Sequence, residues 1–171
     1  YGGAIKNFED AKRVFDCGFE KVVLNSILFS DIALIQKIAS VYGSQSVVGS
    51  IDTKKNILGK YRAYALSANL NTGKEPVEWA ALLEKSGVGE IMINAIDRDG
   101  TWLGYDEELI SKVASAVSIP VVACGGAGSF NDFEKAVHAG ASAVAAGSLF
   151  VFQKKGMGVL ISFPKNKLKI F

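Results

Sequence analysis

Two stretches of the chain carry the same chemical arrangement. Gly2-Gly3 opens GGAIKNFEDAKRVFDCG, and Gly125-Gly126 opens GGAGSFNDFEKAVHAG. Each runs through a helical pattern to a stop glycine, Gly18 or Gly140, and seven residues later a strand-like run ends in Asn25-Ser26 or Gly147-Ser148. Glycines let backbone N–H groups approach an anion, a helix N-terminus adds the positive end of its dipole, and a hydroxyl donates one more hydrogen bond. That combination suits phosphate. One such turn alone reads equally well as a tight connection that binds nothing, and successive βα units also resemble each other for packing reasons. The matched duplication, serine included, favours phosphate. The copies lie a little over 120 residues apart, about half of a typical ~250-residue barrel, which puts them on opposite sides of one mouth. The expected ligand carries a phosphate at each end.

Between these sites, the polar residues that close apolar runs are the candidates for chemistry: Asn25, Asp52, Asn94, Asp97 and Cys124. Asp52 ends VVGSID with no turn signal after it, so its carboxylate is expected at the mouth, partly desolvated and tuned for proton transfer. The competing reading is a carboxylate that caps the following loop. In IDRDGTWLGYD, Asp97 and Asp99 flank Arg98 while Gly100 and Gly104 break the loop, which suits main-chain recognition of a sugar or phosphate. A calcium loop would need more oxygen ligands at alternating positions and a closing glutamate. Cys124 has no histidine to activate it, because the single histidine, His138, sits near a helix end. Acid–base work falls to carboxylates. At the opposite strand ends, Lys21 and Glu90 put charge where a barrel floor would be, as a structural ion pair or as a gate.

The elements that must position these residues alternate. Strands are expected at Lys21–Ser26, Ser46–Asp52, Glu90–Asp97, Ile119–Cys124 and Ala143–Ser148, apolar throughout as strands covered on both faces are. Helical patterns cover Phe8–Cys17, Asp31–Tyr42, Pro76–Ser86, Asp106–Val117 and Asn131–His138, several closing at glycine. Repeated βα units imply a parallel α/β sheet. Only Thr53–Glu75 breaks the rhythm, and it reads as an elaborated loop after the second strand.

With 171 residues, 49% hydrophobic and 21% charged, the chain has the composition of one globular domain. Its net charge of +2, with Lys and Arg interspersed among acids, gives no nucleic-acid footprint. Cys17 and Cys124 fit no metal-ligand spacing, and free thiols are expected. No metal or cofactor motif is read. No apolar run is long enough to span a bilayer and no signal peptide is read, so a cytoplasmic protein is expected. The chain opens with Tyr1 directly into a glycine turn, and further residues are expected before it.

The strings VVGSID, EIMINAIDRDGTWLGYD, IPVVACGGAGSFNDF and AGASAVAAGSLF, in this order and spacing from Gly2 to about Phe152, resemble the cyclase subunit of imidazole glycerol phosphate synthase. The resemblance implies a single incomplete phosphate-binding barrel domain over residues 1–171: strands four to eight of a (β/α)8 TIM barrel, the first three strands lying before Tyr1. It implies a lyase that takes a bis-phosphorylated ribulosyl formimino-carboxamide nucleotide and ammonia to imidazole glycerol phosphate and aminoimidazole carboxamide ribotide. Asp52 matches one of a catalytic aspartate pair. Asn25 and Ser26, with Gly2 and Gly3, match one phosphate site. Asp99, Gly100, Gly125, Gly126, Gly147 and Ser148 match the other, and Asn94 stands at a substrate-contacting position. Lys21 and Glu90 resemble members of a floor gate that passes ammonia from a glutaminase subunit. Without the other aspartate, this stretch alone is expected to be inactive, and its open edges to favour self-association.

Three positions depart from the family pattern. Ala4 replaces the last glycine of the first turn, and Cys124 and Asn94 stand where Ser and Thr are expected. The tail Lys154–Phe163 is similar to that of paralogues thought to supply ammonia for surface-polysaccharide sugar modification. The sister isomerase of the same pathway is a further reading, disfavoured by Gly104-Tyr105-Asp106. A barrel fragment that only binds a phosphorylated ligand is the non-enzymatic one.

Overall fold

A computed structural model describes residues 1–152, 158–159 and 161. In chain order the elements are α1 (Phe8–Asp16), β1 (Val22–Leu24), α2 (Ala33–Tyr42), β2 (Val47–Lys55), β3 (Tyr61–Ala65), β4 (Leu70–Asn71), α3 (Pro76–Lys85), β5 (Glu90–Ala95), α4 (Glu107–Ala114), β6 (Val121–Cys124), α5 (Phe130–His138), β7 (Ala143–Val144) and α6 (Ser148–Val151). Strands β1, β2, β5, β6 and β7 pair in parallel in that order, and Gly2 adds a parallel bridge to Val23. A mostly parallel sheet with helices between successive strands is the α/β arrangement of part of a (β/α)8 barrel.

The sequence expected these strands covered on both faces; β5 instead alternates. Ile91, Ile93 and Ala95 are buried against the helices, while Glu90, Met92 and Asn94 are only partly covered. Register stacks the latter face in layers. Val48 pairs with Glu90 near the floor, Ser50 with Met92 and Met92 with Val122 in the middle, and Asp52 with Asn94 and Asn94 with Cys124 at the top. The opposite face is the core: Leu34, Ile35, Ile38, Leu83, Leu109 and Ile110 from three helices close over Ile51, Ile91 and Ile93. At roughly 25 cal/mol per Å² of apolar surface, this burial supplies the main stabilising term.

The Thr53–Glu75 stretch is not a loop. β2 runs on past Asp52 to Lys55 and turns back through β3, with which it pairs antiparallel, and β3 pairs with the short β4. The turn is set by Asn56, whose side-chain oxygen accepts from the N–H groups of Leu58 and Lys60, and by Gly59 at φ +73°. Alternation of buried Ala63 and Ala65 with partly exposed Arg62 and Tyr64 is a strand period, hidden in the sequence by the small alanines. The strand ends also differ: Asn25 leaves β1 into a 3₁₀ turn over Ser26–Phe29, and Gly147-Ser148 start α6. The tail segment Lys154–Phe163 lies almost entirely outside the described residues. Among the described residues, no helix is long and apolar enough to cross a membrane.

Candidate functional site

The top layer of the sheet brings the chemistry together. Asn94 Nδ2 donates to Asp52 Oδ1 at 3.0 Å. Burial pushes the Asp52 carboxyl above its ordinary value, hydrogen bonds from Asn94 and Asn25 oppose the rise, and the charge of Asp99 adds to it. Such a group is poised to exchange a proton closer to neutrality than an exposed aspartate. Asn94 turns its nitrogen to the carboxylate, and the amide oxygens of both Asn25 and Asn94 are buried acceptors with no partner among the described residues. Burial raises the Cys124 thiol, helped by Asp99 and Asp52, which keeps it protonated and a poor nucleophile.

Asp52 lines a cleft of about 600 Å³ together with Gly2, Gly3, Ala4, Asn25 and Ser26. The first glycine turn, the strand-end hydroxyl and the candidate proton-transfer group thus share one space. A second, smaller cleft is lined by Asp99, Gly100, Gly125, Gly126, Gly147 and Ser148. Asn94 lies between the two sets. A Cβ on Gly125, at φ +87°, would come within 2.6 Å of the Ala95 carbonyl oxygen and 2.9 Å of Asn94 Oδ1, so only glycine fits beside this row.

Both helices that follow the glycine turns are capped by their own side chains. At α1, Asn7 Oδ1 accepts from the Asp10 N–H and Asp10 Oδ2 from the Lys6 N–H, both at 2.9 Å. At α5, Asp132 Oδ2 accepts from the N–H groups of Gly128 and Ser129 at 3.0 and 2.8 Å. In each case a carboxylate of the first helical turn holds N–H groups of the residues just before the helix, and its charge offsets the helix dipole. Beside the glycine turns, the two clefts are lined by the start of the short turns after β1 and β7, at Ser26 and Ser148. Ser26 Oγ accepts from the Leu66 N–H at 2.9 Å, which leaves its own hydroxyl proton for another acceptor.

At the other end of the strands Lys21 Nζ and Glu90 Oε2 pair at 2.7 Å, with side chains 46% and 19% exposed. The polar cleft-lining residues not singled out in the sequence include Lys6 and Ser67, with Ser30 and Ser50. Lys6 follows the first glycine turn directly, a signal that was available. Ser67 sits in a turn without glycine, Leu66-Ser67-Ala68, whose φ values of +53°, +56° and +68° no local signal foretells.

A family model described as "Histidine biosynthesis protein" matches residues 1–155. The chain belongs to that family. Among its relatives, a Pseudomonas aeruginosa protein provisionally named imidazole glycerol phosphate synthase subunit hisF2 is 49% identical over 99% of this chain and 68% of its own length. The imidazole glycerol phosphate synthase subunit HisF of Pyrobaculum aerophilum is 46% identical over 89% of this chain and 60% of its own. That of Endomicrobium trichonymphae is 40% identical over 90% and 59%. The chain thus spans about two thirds of the length of the curated relatives it matches. Within the histidine biosynthesis family the clefts lie at the strand ends where such barrels carry their sites.

Proposed function

We propose that this chain supplies strands four to eight of a cyclase subunit of imidazole glycerol phosphate synthase, a single barrel domain with further strands contributed from outside these 171 residues. The observation that carries the reading is Asp52, its carboxyl raised by burial in a cleft bounded by a duplicated glycine turn and separated by Asn94 from the second copy. In this reading Ser26, Gly2 and Gly3 hold one phosphate of the bis-phosphorylated nucleotide, while Gly100, Gly125, Gly126, Gly147 and Ser148 hold the other, with Asp99 at its edge. Fixing both ends keeps the reacting centre in register over Asp52. Asp52 takes and returns a proton as ammonia adds, the ring closes and the carboxamide ribotide departs, with a second acidic group outside this chain sharing the transfer. Asn25 and Asn94 orient the carboxylate and offer their oxygens to substrate N–H or O–H groups. Ammonia comes from a glutaminase subunit docked at the floor, past Lys21 and Glu90. Alone, the chain is inactive in this reading, and its place is the cytoplasm.

Ammonia-dependent consumption of the nucleotide by the full-length protein tests this. Turnover is expected in wild type, and Asp52→Asn should lower it by about 100-fold or more, the range for loss of a general acid–base group. Near-wild-type turnover by that variant removes Asp52 from the mechanism.

A further inference from the structure

We infer that Lys6 and Ser67 complete the first cleft as a site for a phosphate monoester dianion, Lys6 supplying the counter-charge and Ser67 a roof of hydroxyl and backbone donors. This rests on the reading of that cleft as a phosphate site. The glycine turn, Asn25 and Ser26 supply neutral hydrogen-bonding groups only, and the one ionisable carboxyl in the cleft, Asp52, repels an anion. A cation beside the cleft adds a charge-assisted contact that these neutral donors cannot supply. Among the described residues lining the cleft, Lys6 is the only cationic one. Its backbone is fixed by the Asp10 side chain, and its ammonium group meets no carboxylate among the described residues.

Ser67 comes from the arm formed by β3 and β4. Leu66, Ser67 and Ala68 all adopt left-handed backbone conformations, which L-residues avoid. Successive left-handed residues turn their N–H groups to one side, as the first turn of a helix does. The first of these, that of Leu66, points at Ser26 Oγ. The turn is locked by Asn69, whose backbone N–H and side-chain Nδ2 both donate to the Leu66 carbonyl, at 3.2 and 2.9 Å. Strain of this kind persists where surrounding structure holds it and gathers at ligand sites. Here it brings Ser67 into the cleft that Ser26 lines. Accepting the Leu66 N–H also polarises the Ser26 hydroxyl towards donating to an anion. Lys6, Ser26 and Ser67 thus converge from three separate segments on one anion.

The test uses the full-length protein, inorganic phosphate as probe, and backbone amide NMR shifts as readout, in wild type, Lys6→Met and Ser67→Ala, each first checked for an unchanged thermal midpoint. Saturable shifts are expected at Gly2, Gly3, Ser26 and Ser67. Affinity should fall about tenfold in Lys6→Met and about threefold or more in Ser67→Ala, as for loss of hydrogen bonds to a charged group. The Lys6→Met loss should shrink in high salt. Ser67→Asn, which keeps a donor and tolerates left-handed φ, should restore most of the binding if Ser67→Ala loses it. Saturable shifts at Gly2, Gly3 and Ser26 with a silent Ser67 amide and wild-type affinity in both variants overturn the inference and leave the glycine-turn phosphate site standing. Absence of any saturable shift in the cleft overturns both.

Discussion

Asp52 was legible because the apolar run VVGSID closes on it, although β2 itself continues to Lys55, and the environment that matters is legible only in three dimensions. Folding raises its pKa above the ordinary carboxylate value, so the protonated form is favoured by the native state. Stability contributed by that proton is full below about pH 4, the unfolded value, and is lost as pH rises through the folded value. At neutral pH the ionised carboxylate therefore costs stability. Asp52→Asn in the full-length protein should unfold at higher denaturant concentration than wild type at pH 7, with the advantage vanishing near pH 3.5. An equal midpoint at pH 7 would mean that the two asparagines already compensate the buried charge. Ala4 makes the complementary case. It occupies a left-handed position, φ +57°, in the turn where the family pattern has glycine, and replacing it with glycine should raise stability by about 1 kcal/mol. Denaturant midpoints read this, and a loss of stability would place the strain elsewhere. Ser67 escaped the sequence because nothing local foretells its left-handed turn, whereas Lys6 stood directly after the glycine turn and could have been read there.

At the scale of elements, helices were the most readable. α1 and α3 begin where the sequence placed them, at Phe8 and Pro76, and Asp106 emerges as the residue whose side chain caps α4. The arm was not readable, because its strands are short and one is half alanine. Its base is clamped to α4 by side chains distant in sequence. Tyr61 Oη donates to Asp106 Oδ1 at 2.9 Å and approaches Glu108 Oε2 at 3.1 Å, Lys55 pairs with Glu108, and Lys55 lies over the Tyr61 ring. Burial and these carboxylates push the Tyr61 hydroxyl above its ordinary pKa, so it stays a donor across the physiological range. Asp106 is buried and also holds the Leu109 N–H, so this clamp joins the arm that carries Ser67 to the loop that carries Asp99. Tyr61→Phe should cost about 1 kcal/mol of stability and raise hydrogen exchange at amides of β3 and β4 before those of β5. Unchanged exchange in the arm would show that backbone pairing alone fixes it.

Over the whole molecule, the two halves repeat not only glycines but caps. Asp10 and Asp132 each stand at the third helical position, 122 residues apart, and so do Ser26 and Ser148 at the strand-end turns. Duplication therefore preserved the way each βα unit starts its helix as well as the residues offered to the mouth, which is why packing and binding could not be separated by reading the repeat alone. The floor is where they separate. Lys21 and Glu90 pair at 2.7 Å with the lysine side chain about half exposed and the glutamate partly covered, and an ion pair open to solvent on one side contributes only about 1 kcal/mol to stability. If the pair is only structural, Lys21→Met changes little of anything. If it gates ammonia between subunits, the same variant in the full-length complex should lower glutamine-supported turnover by about tenfold while ammonium-supported turnover, which bypasses the floor, stays near wild type. The ratio of the two rates is insensitive to general loss of fold, since misfolding lowers both. An unchanged ratio would return Lys21 and Glu90 to a structural role.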